Sequence, residues 1–148
     1  MSQKPASSES PVEVLRLDNQ LCFALYGAAN RMTRLYRPLL DALGLTYPQY
    51  LAMLVLWEKS PRTVGELGEA LDLDSSTLTP LLKRLEAGGL VERRRDPDDE
   101  RRVIVALTDK GRALREQAVA IPEKLFCALD MPLEAITALR ERLKILAR

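Results

Sequence analysis

Hydrophobic residues recur at helical spacing over most of this chain, and the period changes to that of a strand in one short stretch. The first helical pattern runs from Leu17 to Leu43 and predicts an amphipathic helix. Pro38 lies late in this pattern and is expected to kink or divide the helix near Arg37. Gly44 is expected to end it.

Three further helix starts follow, each marked by a side chain that can cap a helix N-terminus. Thr46 and Thr63 each stand three residues before a Gln or Glu, which is the pattern of a capping box. The helix that Thr46 opens is strongly apolar from Tyr50 to Trp57 and is expected to form the buried centre. Asp74 caps another helix, which Gly88-Gly89 is expected to end with a left-handed turn.

The strand-like stretch consists of two segments around a polar turn. Leu90 to Arg95 and Arg101 to Leu107 predict a β-hairpin. Thr108 is expected to cap a long helix that reaches toward Cys127, and Met131-Pro132 to open a last helix with one apolar stripe.

This order of elements is typical of a winged helix-turn-helix, so the predicted fold is mainly α with a small β-hairpin. We expect residues 1–16 to be a disordered tail, residues 17–148 to form the folded part, and residues 46–108 to form its DNA-binding portion. The apolar stripes of the outer helices exceed what one small domain can cover. They predict a homodimer that is built through the N- and C-terminal helices.

Composition limits the class of protein. The chain has 148 residues, 47% of them hydrophobic, and no apolar run long enough to cross a membrane. Its first residues are rich in Ser, Pro and Glu and do not resemble a secretory signal, so a cytoplasmic location is expected. The net charge of +1 means that any DNA-binding surface must come from the local placement of Arg and Lys.

The chain contains no histidine and only two cysteines, Cys22 and Cys127. No Ser-His or Cys-His pair is possible, two thiols cannot form a four-ligand zinc site, and the cysteines are too far apart in sequence for a CxxC motif. We therefore expect no metal, no cofactor and no enzymatic activity. Each thiol remains open to two interpretations, a small buried hydrophobic residue or a reactive sensor.

The helix capped by Asp74 has an inward stripe of leucines and an outward face of small hydroxyl and basic side chains. Such side chains at a helix N-terminus suit close approach to base edges and phosphates, although a solvated polar face is the alternative. The candidate DNA-binding residues on this face are Ser75, Ser76, Thr77, Thr79, Pro80, Lys83 and Arg84.

The hairpin adds arginines on both sides of an acidic turn. An exposed arginine on a hairpin can enter a narrow minor groove, where the electrostatic potential is most negative. The alternative is a salt-bridged solvent loop. A more specific interpretation is that Asp99 orients Arg101 for insertion, because a side chain held in place loses less entropy on binding.

These motifs resemble the MarR family of bacterial regulators. The resemblance rests on the run from Leu73 to Glu86 and on a wing signature of Asp99, Arg101, Leu107 and Thr108. It implies a two-fold dimer on double-stranded operator DNA, with recognition helices in successive major grooves of a pseudo-palindrome and wings in the flanking minor grooves.

Two further runs, Leu21 to Tyr26 and Thr46 to Tyr50, are similar to the organic hydroperoxide sensors (OhrR) within that family. The resemblance implies that Cys22 is the peroxide-reactive residue and that the hydroxyls of Tyr36 and Tyr47 support its thiolate. The alternative for both tyrosines is an ordinary amphipathic edge of the core.

The resemblance to members with a second cysteine also implies that Cys127 resolves oxidised Cys22 as a disulfide, which we expect to join two subunits. The inducer would then be an organic or lipid hydroperoxide. A MarR-type repressor gated by a non-covalent apolar or phenolic ligand is the alternative. A thiol peroxidase and a winged helix that binds only proteins fit the sequence less well.

Overall fold

The computed structural model describes residues 11–147. The chain divides into two compact units, Met1–Arg34 and Leu35–Arg148. Residues 1–10, which belong to the predicted disordered tail, lie outside the described residues. The rest of that predicted tail differs from expectation, because Pro11–Val14 forms a one-turn helix, α1.

The first unit holds α1, a 3-10 turn at Leu17–Asn19 and the start of α2 (Leu21–Asp41). The helix α2 therefore begins at Leu21, later than the apolar pattern that starts at Leu17. Gln20 has an extended backbone, and its side-chain amide donates to the carbonyls of Val14 and Arg16 at 2.8 Å.

Pro38 does not divide α2, which continues to Asp41, so the division that was one of the two expected outcomes near Arg37 is wrong. The missing N–H of Pro38 removes only one backbone hydrogen bond in the last turn, where few bonds follow it. Gly44 has a φ of +68° and ends this segment as predicted.

The second unit contains the remaining helices and a small sheet. Their bounds are α3 (Tyr47–Glu58), β1 (Arg62–Thr63), α4 (Val64–Leu71), α5 (Ser75–Ala87), β2 (Val91–Arg95), β3 (Val103–Leu107), α6 (Asp109–Ala118), α7 (Ile121–Leu129) and α8 (Leu133–Leu146). Both capping boxes, at Thr46 and at Thr63, are present as the sequence predicts.

The sheet has three antiparallel strands in the order β1-β3-β2. The sequence predicts β2 and β3 but not β1, whose two residues are too few to show a period. Arg62 stands opposite Val105 on one side of β3, and Arg93 stands opposite Val105 on the other.

The core of the second unit lies between α3, α4, α5 and the sheet. Met53 and Leu67 are fully buried, as are Leu78, Leu82 and Val105. Burial of α3 confirms the prediction that this apolar helix forms the centre.

The long helix predicted from Thr108 to Cys127 is wrong, since it is interrupted after Ala118 and restarts as α7. Pro122 stands in the first turn of α7, where a residue without an N–H is tolerated but cannot continue the preceding ladder. Within residues 11–147 the longest apolar helical stretches fall short of what a membrane crossing needs.

Candidate functional site

The N-terminus of α5 is fixed by one carboxylate. Asp74 Oδ1 accepts hydrogen bonds from Ser76 Oγ at 2.8 Å and from the Thr77 backbone N–H at 2.9 Å. These two bonds lower the pKa of Asp74, the Ser76 hydroxyl having the larger effect. The first turn of α5 is therefore held in place around an ionised cap.

The two faces of α5 divide as the sequence predicts. The leucine stripe, Leu78, Leu81, Leu82 and Leu85, is buried. Of the opposite face, Thr79 is half-buried and six residues are exposed: Ser75, Ser76, Thr77, Pro80, Lys83 and Arg84. The structure thus presents the candidate residues together on one accessible surface.

The turn between β2 and β3 holds one arginine outward. Asp99 Oδ1 accepts from the Arg101 backbone N–H at 3.1 Å and from Arg101 Nε at 3.2 Å, while Asp99 Oδ2 lies 3.5 Å from Arg101 Nη2. These bonds lower the pKa of Asp99. The Arg101 side chain is nevertheless 91% exposed. It is a guanidinium that is oriented by its neighbour and still open to solvent, the arrangement expected if Asp99 positions Arg101.

Asp96 is a second acidic residue of this turn, and its side chain is also held in place. It is only 8% exposed. Its Oδ1 accepts from the Asp98 backbone N–H at 2.9 Å, and its Oδ2 lies 3.6 Å from Arg102 Nη1. Asp96 and Asp99 therefore shape the turn, which gives two of the acidic residues on this arginine-rich surface a structural role.

Arg93 faces α5 instead of solvent. Its Nη2 donates to Glu86 Oε1 at 3.1 Å, and its backbone N–H donates to Glu86 Oε2 at 3.0 Å. In the sequence, Arg93 is simply one of the arginines beside the acidic turn. The alternation of side chains along β2 would have placed Arg93 and Arg94 on opposite faces, but nothing in the sequence identifies Glu86 as the partner.

Hydrogen bonds connect the start of α6 to the turn that follows α5 and to α3. Thr108 Oγ1 donates to the Gly89 carbonyl at 2.6 Å and accepts from the Gly111 N–H at 3.0 Å. Trp57 Nε1 donates to the Gly111 carbonyl at 2.9 Å. A side chain at Gly111 would meet the Leu90 carbonyl oxygen at 2.1 Å, so α6 packs here closely enough to require glycine.

Three tyrosines form a cluster in the second unit. The ring centroid of Tyr36 lies 4.9 Å from that of Tyr47 and 5.8 Å from that of Tyr50. Burial, together with the two neighbouring hydroxyls, raises the pKa of Tyr36 to about 12, and burial raises the pKa values of Tyr47 and Tyr50. Like those of ordinary tyrosines, the hydroxyls of this cluster are protonated near neutral pH and can donate hydrogen bonds.

Both cysteines are free thiols and both are exposed. Cys22 lies in the first turn of α2 in the first unit, and Cys127 lies on α7 in the second unit. Neither thiol therefore lies in the hydrophobic core of the single chain. No cluster of three or more potential metal ligands occurs among residues 11–147.

Comparison with known proteins identifies the class. A family model described as "Transcriptional regulator SarA/Rot" matches residues 34–117. The organic hydroperoxide resistance transcriptional regulator of Bacillus subtilis (strain 168) is 54% identical over 114 residues, which cover 77% of this chain and 78% of that protein. The structure of reduced AbfR bound to DNA shares 40% identity and a TM-score of 0.75, over 92% of this chain and 94% of that one.

This chain belongs to the MarR family of transcriptional regulators, in its OhrR branch. The resemblance inferred from the sequence is thereby confirmed, as are the winged-helix fold and the expectation that the chain is a regulator and not an enzyme. A structure of disulfide-formed AbfR, a protein of Staphylococcus epidermidis, matches with 41% identity and a TM-score of 0.66, over 93% of this chain and 96% of that one.

Within this OhrR-branch chain, the structure brings together the predicted residues of α5 and the Asp99–Arg101 pair in one unit, and Tyr36 with Tyr47 in that same unit. Tyr50 was missed as a member of the tyrosine cluster because its period along α3 marks it simply as core, and it is 3% exposed.

Proposed function

We propose that this chain is a homodimeric repressor that binds operator DNA and releases it when Cys22 is oxidised by an organic hydroperoxide. The observation that carries the DNA-binding part is the exposed Arg101 held by Asp99 beside the capped helix α5. The sensing part is supported by an exposed Cys22 and by the name of the Bacillus subtilis relative.

The proposed mode of DNA binding uses α5 and the turn at different grooves. The exposed hydroxyl and basic side chains of α5 would contact bases and phosphates in the major groove, while Arg101 would enter the adjacent minor groove. AbfR is itself described as bound to DNA in its reduced and overoxidised forms. On this model two subunits read the half-sites of a pseudo-palindrome about one helical turn apart.

The dimer is proposed from apolar surface that each unit leaves exposed. In the first unit Leu15 is 82% and Leu21 is 61% exposed, and in the second Leu133 is 59% and Ile145 is 69% exposed. Exposed apolar side chains of this density along the terminal helices mark an interaction surface, and a second copy is the partner that a two-fold operator requires.

The proposed redox chemistry begins with the Cys22 thiolate. It attacks the terminal peroxide oxygen of R–O–OH, forms an S–O bond as the O–O bond breaks, and leaves Cys22 as a sulfenic acid and the peroxide as an alcohol after protonation. Tyr36 and Tyr47 are proposed to donate hydrogen bonds to the thiolate, because their rings lie side by side and a tyrosine hydroxyl is a hydrogen-bond donor. The apolar side chains around Cys22 in sequence, which include the exposed Phe23, favour an alkyl substituent on the peroxide.

The proposed second step uses Cys127. Its thiol sulfur attacks the sulfenic sulfur of Cys22, forms the disulfide and releases water, which protects Cys22 from further oxidation. We propose that the two thiols come from different subunits. A disulfide form of AbfR exists, which supports the chemistry without assigning its residues.

The test is a binding assay with cumene hydroperoxide. Duplexes selected by the reduced protein from a randomised pool are labelled, and release is followed by fluorescence anisotropy. We expect the wild type to release its duplex after one equivalent of peroxide and to rebind after dithiothreitol, and Cys22→Ser to bind and stay bound. Release of Cys22→Ser by peroxide would contradict the role of Cys22. Release by an added phenolic compound without peroxide would favour the ligand-gated alternative.

A non-reducing gel tests the second step separately. A crosslinked dimer that requires both Cys22 and Cys127 supports the intersubunit disulfide. Monomer in every lane, with Cys22 oxidised by mass spectrometry, would contradict the intersubunit assignment and leave the sensing role intact.

A further inference from the structure

One carboxylate links α5 to the hairpin. Glu86 lies in the last turn of α5, and its two oxygens accept from two different groups of Arg93, the backbone N–H at 3.0 Å and Nη2 at 3.1 Å. These bonds also lower the pKa of Glu86, the Arg93 side chain having the larger effect. A carboxylate that holds both the main chain and the side chain of one strand residue fixes where that strand lies relative to the helix.

Arg93 is central in the hairpin. It stands opposite the buried Val105 in the register of β2 and β3. It also lines a cleft of about 540 Å³ that is shared with Thr79 of α5 and with Arg101. The Glu86–Arg93 pair therefore lies between the two elements that are proposed to enter different grooves of DNA.

Direct DNA contact does not explain Arg93 well. Its side chain is only 21% exposed, against 91% for Arg101. Its Nε is buried and has no hydrogen-bond partner among the described residues. Because ion pairs with a partly exposed partner contribute little to folding stability, the value of this pair lies in its geometry.

We infer that Glu86 is a positioning residue for DNA reading, which sets the angle between α5 and the hairpin so that Arg101 reaches the minor groove while α5 occupies the major groove. This inference rests on the proposed function, since it assumes that α5 and Arg101 both bind DNA. Without the carboxylate, α5 would still dock, but the hairpin would no longer be held over the flanking minor groove.

The experiment compares Glu86→Ala, Glu86→Gln and Arg101→Ala with the double variant Glu86→Ala/Arg101→Ala. Glu92→Ala is the matched control, because Glu92 is an exposed carboxylate on β2 whose removal changes the net charge equally. The probe is a duplex selected by the wild type from a randomised pool. The readouts are affinity, hydroxyl-radical footprints and the thermal unfolding midpoint.

We expect Glu86→Ala to lose affinity by no more than Arg101→Ala does, and to lose protection at the flanking minor grooves while keeping protection at the centre of each half-site. The double variant should be little weaker than Arg101→Ala alone, because both changes remove the same contact. Glu86→Gln should recover part of the flank protection, since its amide oxygen still accepts from the Arg93 N–H.

Three outcomes would overturn the inference. Losses that add in the double variant would mean that Glu86 acts independently of Arg101. Uniform fading of the footprint with a lowered unfolding midpoint, absent in Glu92→Ala, would mean a general structural role. A wild type that selects no duplex at all would overturn the proposed function itself, a result that is distinct from the other two.

Discussion

Gly111 is the position where the structure makes the sharpest prediction about stability. A Cβ atom added there would lie 2.1 Å from the Leu90 carbonyl oxygen, 3.0 Å from the Leu90 carbonyl carbon and 3.2 Å from Leu107 Cδ2. Carbon and carbonyl oxygen normally approach to about 3.3 Å, so in Gly111→Ala one backbone segment must retreat by about 1.2 Å. The Leu90 carbonyl belongs to the main chain, which cannot rotate away as the end of a side chain could.

The displacement disrupts hydrogen bonds on both sides of the contact. The Leu90 carbonyl accepts from the Thr108 N–H at 3.1 Å, and the Gly111 carbonyl accepts from Trp57 Nε1 at 2.9 Å. Loss of both costs about 2 kcal/mol, and overpacking adds about 1–3 kcal/mol. The better helix propensity of alanine returns about 1 kcal/mol. We therefore expect Gly111→Ala to lower the free energy of unfolding by about 2–4 kcal/mol.

The assay is urea denaturation at one fixed protein concentration, because the stability of a dimer depends on concentration. Gly65→Ala is the matched control. A Cβ atom at Gly65, in α4, would have Thr63 Oγ1 at 3.8 Å as its nearest neighbour, an ordinary contact. The control should be unchanged or more stable by up to about 1 kcal/mol. Equal midpoints for wild type and Gly111→Ala would refute the packing described here.

Three other predictions concern binding, oxidation and pH. Arg101→Ala should weaken operator binding by about 1–3 kcal/mol with an unchanged unfolding midpoint, and equal affinity in a gel-shift titration would remove Arg101 from the interface. Tyr36→Phe should slow the oxidation of Cys22, measured by stopped-flow thiol loss, without changing reduced-state DNA affinity; an unchanged rate would contradict the donor role. The pKa of Asp74 is lowered in the folded chain. Its ionised carboxylate therefore stabilises α5 in full above pH 3.8, the ordinary pKa, and this stabilisation is lost as the pH falls through the lowered pKa. Asp74→Asn, which keeps the acceptor, should flatten the acid limb of a circular-dichroism titration, and an identical limb would contradict this.

Local chemistry along the chain predicts most of the second unit. The boxes at Thr46 and Thr63 and the cap at Asp74 were predicted because each depends on residues within one helical turn. The inward leucines of α5 follow from the helical period in the same way.

Features that depend on distant partners were not predictable from the sequence. The pairing of Glu86 with Arg93 requires the path of the chain through the Gly88-Gly89 turn, and the close approach of Gly111 to Leu90 joins segments that no local pattern relates. The expected division at Pro38 failed for the opposite reason. A local rule was applied in the last turn of α2, where the backbone hydrogen bond that proline removes contributes little.

The candidate site shows the same division. Sequence placed Tyr36 and Tyr47 near each other only through a resemblance, whereas the structure shows their rings in contact and adds Tyr50. Exposure of Cys22 also could not be inferred, because an apolar neighbourhood in sequence is compatible with burial or with an open helix face.

Whether oxidation of Cys22 releases DNA is tested by titrating the reduced protein–DNA complex with cumene hydroperoxide. Released duplex and modified Cys22 are measured in the same samples. If oxidation of Cys22 releases DNA, the fraction of duplex released rises in step with the fraction of Cys22 oxidised, and dithiothreitol reverses both changes. Complete oxidation of Cys22 with the duplex still bound, or release while Cys22 remains a thiol, would contradict it.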